Sequence, residues 1–126
     1  MASSIGTAII IVISVFFAGM GVYALAAPAA LIRPFGITLG DAASRSEVRA
    51  VYGGFGLAIA GVLAYAAVQS EHRTGILITV GAALAGMALG RLVSAVVDAR
   101  TAFYPNWFYC LVELLAAAAL FAVSAR

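Results

Sequence analysis

IGTAIIIVISVFFAGMGVYALAA, residues 5–27, contains no charged side chain and almost nothing polar. A helix needs about 20 mainly apolar residues to cross roughly 30 Å of hydrocarbon, and this stretch is long enough. Ala50–Ser70 is a second uncharged stretch and Thr74–Gly90 a third. A fourth runs from about Trp107 to Ala125, broken only by Glu113. The pattern predicts helices over about 4–27, 46–69, 74–98 and 106–124. The expected fold is all-α, an integral membrane four-helix bundle running up-down-up-down. Four spans use most of the 126 residues, so a single transmembrane domain over 1–126 is expected, without a soluble domain.

Composition narrows the function classes. Hydrophobic residues make up 65% of the chain and charged residues 10%, with a formal net charge of +2. In so apolar a chain a small positive excess concerns membrane orientation and gives no reason to expect a nucleic-acid partner. Lysine is absent, which argues against a polybasic lipid-binding tail. Phosphate-loop, dinucleotide and zinc-protease motifs are missing. Cys110 is the lone cysteine; without a companion thiol it forms neither an intrachain disulfide nor a metal site, and it reads as a small buried apolar side chain. His72, between Glu71 and Arg73, reads as a solvated turn residue. No metal and no cofactor are expected. Ala24-Leu25-Ala26 resembles a cleavage site, but Met1–Ser4 carries no Lys or Arg and the apolar run exceeds the usual 7–15 residues of a signal peptide. The first helix is expected to be retained.

The connections set the topology. Pro28 ends the first helix. The connection from Pro28 to Ser46 is the longest, with Arg33, Pro34, Gly36, Gly40 and Asp41 as turn signals. Leu31, Ile32, Phe35, Ile37 and Leu39 make it too apolar for a free loop, so it should tuck over the helix ends. Ser44-Arg45-Ser46-Glu47 has capping-box spacing for the second helix. Short connections at Glu71–Arg73 and Arg100–Pro105 force antiparallel neighbours. Both termini and the Glu71 turn then share one face of the membrane, the terminal face; the long connection and the Arg100 connection share the other, the loop face. Arg33, Arg45, Arg49, Arg91 and Arg100 lie towards the loop face, against Arg73 and Arg126, which puts the loop face in the cytoplasm by the positive-inside rule. Trp107, Phe108 and Tyr109, with Phe103 and Tyr104, form an aromatic boundary cluster.

Small residues at intervals of four let helix backbones approach closely in lipid. The third helix has Ala82, Gly86, Gly90 and Ser94; the second has Ala50, Gly54 and Ala58, with Gly53 beside them. The spacing predicts that the second and third helices pack through these stripes; the alternative is a homodimer through one of them.

The charged residues cluster towards the loop face: Glu47, Arg49 and Tyr52 with the second helix, Arg91 and Asp98 on one face of the third, Glu113 in the fourth. Arg91 lies seven residues before Asp98 and Glu113 seven after Asn106, so in a hairpin they stand level, about 10 Å below the surface. Charges at that depth are costly, which makes them natural ion-pair partners. One reading is structural, a staple with interfacial charges around it. The other is a shared cavity, roofed by the Pro28–Ser46 connection, with Arg91 as central donor to a polar headgroup or small anion. A conduction path would need polar groups continuing to the terminal face, where only scattered residues such as Ser14, Tyr65 and Thr79 occur.

The run Ser46-Glu47-Val48-Arg49-Ala50-Val51-Tyr52-Gly53-Gly54, followed by Gly90-Arg91 and Asp98, resembles a family of small bacterial four-helix membrane proteins, a domain of unknown function grouped with the DoxX-like proteins. The resemblance covers the first helix through the third. It implies a four-helix membrane bundle in a bacterial cytoplasmic membrane but no activity. Relatives in the wider group include subunits attached to membrane redox complexes, which implies an accessory role; no heme or iron–sulfur ligand set is present here. The leading expectation is a non-enzymatic protein whose cleft, built from Glu47, Arg49, Tyr52, Arg91, Asp98 and Glu113, binds a lipid headgroup, a quinone or a similar amphiphile. The alternatives are an accessory subunit or homo-oligomer packing through its glycines, and an enzyme using Glu47 or Glu113 as acid or base near Tyr52.

Overall fold

The computed structural model describes residues 3–126. Four of its helical segments are long and apolar enough to cross a membrane: Ser4–Ala26, Ala42–Val68, Arg73–Val97 and Phe103–Ser124. They alternate in direction, with both described chain ends on one face.

Helix α1 (Ser4–Ala26) is capped by Ser3, whose Oγ accepts the Gly6 amide at 3.0 Å. It stops where Ala27 leaves helical geometry. Pro28 then opens a short helix, α2 (Pro28–Ile32), because a first-turn position needs no amide hydrogen. Pro28 and Ile32 are buried, so the apolar connection does tuck against the bundle. A tight turn at Arg33–Phe35 follows, closed by Gly36 at φ 76°, a left-handed conformation that glycine adopts without a Cβ clash.

Helix α3 (Ala42–Val68) starts earlier than the Ser44–Glu47 spacing implies. Its cap is Asp41: Oδ1 accepts the Ser44 amide at 2.9 Å, and Ser44 Oγ accepts the Asp41 amide at 3.1 Å. Both serve the same reciprocal function one turn sooner, directly after the Gly40 turn, and Asp41 brings a charged acceptor to the positive end of the helix. Within α3 the segment Arg49–Gly54 winds as a wide, π-helical turn.

Helix α4 (Arg73–Val97) is tied to α3 by its first residue. Arg73 Nε donates to Ala66 O at 2.6 Å and Nη2 to Ala67 O at 3.3 Å. These carbonyls lie in the last turn of α3, where a cation is favourable. Helix α5 (Phe108–Ser124) is entered through a second wide turn, Phe103–Trp107, which contains a cis Tyr104–Pro105 peptide.

Two tight pairs make up the bundle, α1 on α3 and α4 on α5; α3 and α4, although joined by the short turn, share far less surface. The expected packing of the second helix on the third through small stripes is therefore corrected. The close approach is between α1 and α3. A Cβ on Gly21 would stand 2.9 Å from Gly53 O, and one on Gly53 would stand 2.7 Å from Leu25 Cδ2. Gly53 thus lies in a helix contact, with Gly56 in the same seam. Gly54 would meet only Arg49 O of its own helix, at 3.9 Å, and Gly86 and Gly90 face open space. Two physical causes account for this. The wide turn at Arg49–Gly54 breaks the period of four, so Ala50, Gly54 and Ala58 do not keep one face. In α4 the buried positions are Leu77, Val80, Gly81, Leu84 and Ala88, the bulkier stripe, and the glycine stripe lies on the opposite face.

The largest apolar cluster joins the two pairs near the terminal face: Ile10, Leu63, Leu77, Val80, Leu84 and Leu120 are among its members. At the loop face the picture reverses, and every residue from Leu92 to Tyr104 is exposed.

Candidate functional site

The polar centre of the bundle is built by α4 and α5. Arg91 continues the inward stripe of α4 one turn beyond Ala88, and Glu113 lies on the inward face of α5 between Cys110 and Ala117. Arg91 and Glu113 stand level with each other, as counting along the hairpin implies. Arg91 Nε donates to Glu113 Oε1 at 2.8 Å and Nη2 to Oε2 at 3.0 Å. This two-pronged geometry is the strongest form of the pair. Glu113 is only 4% exposed, so its charge depends on Arg91 for compensation.

Three residues complete the cluster. Arg91 Nη1 donates to Asn106 Oδ1 at 3.3 Å. The rings of Phe35 and Tyr109 stand 5.7 Å and 5.9 Å from the guanidinium carbon and 5.6 Å from each other. Arginine is weakly hydrated and planar, and aromatic faces suit it. Phe35 arrives from the apolar connection, which explains why that segment is too greasy to be a loop in water.

The other residues of the expected cleft do not join this cluster directly. Arg49 Nε donates to Leu25 O at 3.0 Å and so satisfies the end of α1. Glu47 and Tyr52 are exposed. Asp98 Oδ1 accepts the Ala99 amide at 2.8 Å, a local turn at the end of α4. Asn106, Phe35 and Tyr109 were not among the expected cleft residues. Asn106 carried a signal: it precedes Glu113 by seven residues, close to two helical turns.

A cavity of about 810 Å³ adjoins the cluster at the loop face. Phe35 and Asn106, both in contact with Arg91, belong to its wall, along with Ser94, Arg100, Tyr104 and Trp107. Arg91 itself is behind the wall, and of the long connection only Pro34–Gly36 reaches the cavity. At the terminal face His72 and Glu71 stand 3.5 Å apart with mostly exposed side chains. Among the described residues, no three His, Cys, Asp or Glu side chains gather as metal ligands would.

The family model of a domain of unknown function (DUF4345) matches residues 5–124. The chain belongs to that family. No curated protein and no solved structure matches it. The DUF4345 match spans the four membrane-length segments apart from Ser4, and the residues of the Arg91 cluster and its cavity lie within it.

Proposed function

We propose that this DUF4345 chain is a small multi-pass membrane protein, non-enzymatic, that holds the head of a membrane amphiphile at its loop face. The observation that carries this reading is the cavity of about 810 Å³, within the 300–1,000 Å³ usual for small-molecule sites and bordered by two side chains that touch Arg91. Lipid headgroups and quinones are the ligand class that fits its level in the membrane. The Glu-x-Arg-x-x-Tyr-Gly-Gly run supports DoxX-like kinship and a bacterial cytoplasmic membrane, with the arginine-rich loop face in the cytoplasm. The acid–base alternative loses support, because Glu113 is held on both oxygens by Arg91 and Glu47 is exposed, with no hydrogen-bond or ion-pair partner among the described residues.

An accessory-subunit reading is favoured by a separate observation: a Cβ on Gly86 or Gly90 would meet nothing within 4 Å among the described residues. Native mass spectrometry of the protein released from mild detergent separates the two. A retained small molecule supports the amphiphile reading; a stoichiometric protein partner, with no small molecule retained, refutes it in favour of the subunit.

A further inference from the structure

We propose that the ligand is an anionic amphiphile, its head a phosphate without a compensating cation, and that Arg100 and Asn106, not Arg91, hold that head. The inference rests on the amphiphile reading above and names the charge of the ligand. Arg91 is electrically spent: its fork closes on Glu113, and Nη1 is turned to Asn106. Because a guanidinium only donates, the atom of Asn106 facing it is the amide oxygen. The amide nitrogen therefore lies on the other side of that group, with no hydrogen-bond partner among the described residues, and Asn106 forms part of the cavity wall.

Among the described residues, Arg100 is the one charged residue lining the cavity, and no Asp or Glu does so. It has no ion pair among the described residues, and Asp98 nearby is turned to the Ala99 amide. Ser94 and Thr101 add hydroxyls. A wall with a cation, amide and hydroxyl donors and no carboxylate favours an oxyanion. Phe35 and Trp107 supply apolar wall at the level where a head meets its tails, and Val93, Val96 and Val97 on the adjoining stretch of α4 are exposed.

Trp107 lines the cavity and is the sole tryptophan, so its fluorescence reports on the site. The full chain is reconstituted in bilayers of acyl-brominated phosphatidylcholine, and unbrominated phosphatidylglycerol is titrated in to relieve quenching. Phosphatidylglycerol is expected to compete about five-fold better than dilution alone gives. Arg100→Gln should bring that preference to about one, with the fold intact by circular dichroism, and Arg45→Gln should leave it unchanged. Absence of any preference in the wild-type protein, or equal loss in the Arg45 and Arg100 variants, overturns the proposal. Inorganic phosphate at matched ionic strength tells the sources apart: relief of quenching insensitive to it supports a lipid head, and loss of the preference supports a free phosphate in the same seat. A short-chain quinone serves as the neutral probe. If it quenches Trp107 saturably, Ala95→Phe blocks it, and phosphatidylglycerol shows no preference, the anion class falls while the amphiphile site stands. If neither probe gives a saturable signal, both fall.

Discussion

At Arg91 and Glu113 two opposing costs decide the outcome. Each charge alone at that depth carries a desolvation penalty of several kcal/mol; together, with both carboxylate oxygens bonded, most of it is offset. Replacing only Arg91 by Ala leaves Glu113 buried and uncompensated, and should cost about 3–5 kcal/mol; the double change Arg91→Leu with Glu113→Leu should cost clearly less. Unfolding in detergent measures both, and equal losses would mean that Glu113 left buried without Arg91 carries no penalty of its own. Asp41 permits a pH test. The Ser44 amide and hydroxyl hold its carboxyl below the usual carboxylate range. A lowered folded-state value means that the cap is fully present above the unfolded value of about 3.9 and is lost as pH falls through the folded one. The Ser44 amide should therefore lose hydrogen-exchange protection in acid below about pH 4, and an Asp41→Asn variant should show no such acid step. The ion pair was legible in the sequence because two charges in an apolar chain must find each other, and counting along a hairpin gives their depth. Phe35 was not legible, since an aromatic in a connection has many ordinary homes, and Asn106 showed itself only through its seven-residue spacing to Glu113.

Among the elements, glycine decides which helices touch, and the period of small residues alone does not say where. Gly21 and Gly53 would each place a Cβ under 3.0 Å from atoms of the facing helix, so Gly21→Leu or Gly53→Leu must separate α1 from α3. A loss of at least about 1–3 kcal/mol is expected from overpacking alone. Gly86→Leu, facing open space, should leave the monomer folded with a melting temperature near that of the wild type. Thermal melts of the three variants side by side check this, and a collapse of the Gly86 variant would place α4 the other way round. The four spans themselves were plain from hydropathy, because length and apolarity are properties of a segment. Partner choice is a property of two segments at once. It turned on the wide turn at Arg49–Gly54, which shifts the phase of α3 without any proline to announce it.

For the whole molecule, apolar locking is concentrated at one end. Leu63, Leu77 and Leu120 are fully buried near the terminal face and tie the α1–α3 pair to the α4–α5 pair. Leu120→Ala should cost about 2–5 kcal/mol, measured by unfolding in detergent, and more than the same change at the outward-facing Leu115. At the loop face the buried apolar side chains Ala24, Ile32 and Val48 belong to the α1–α3 side; on the α4–α5 side the chain is uncovered from Leu92 to Tyr104, and an ion pair with two rings does the fastening. The consequence is temporal. In an exchange experiment amides beyond Arg91 should open many times before those around Leu77 and Leu84 open once. A guest arriving in the leaflet would then enter the cavity sideways during such an opening, while the far end of the bundle stays shut.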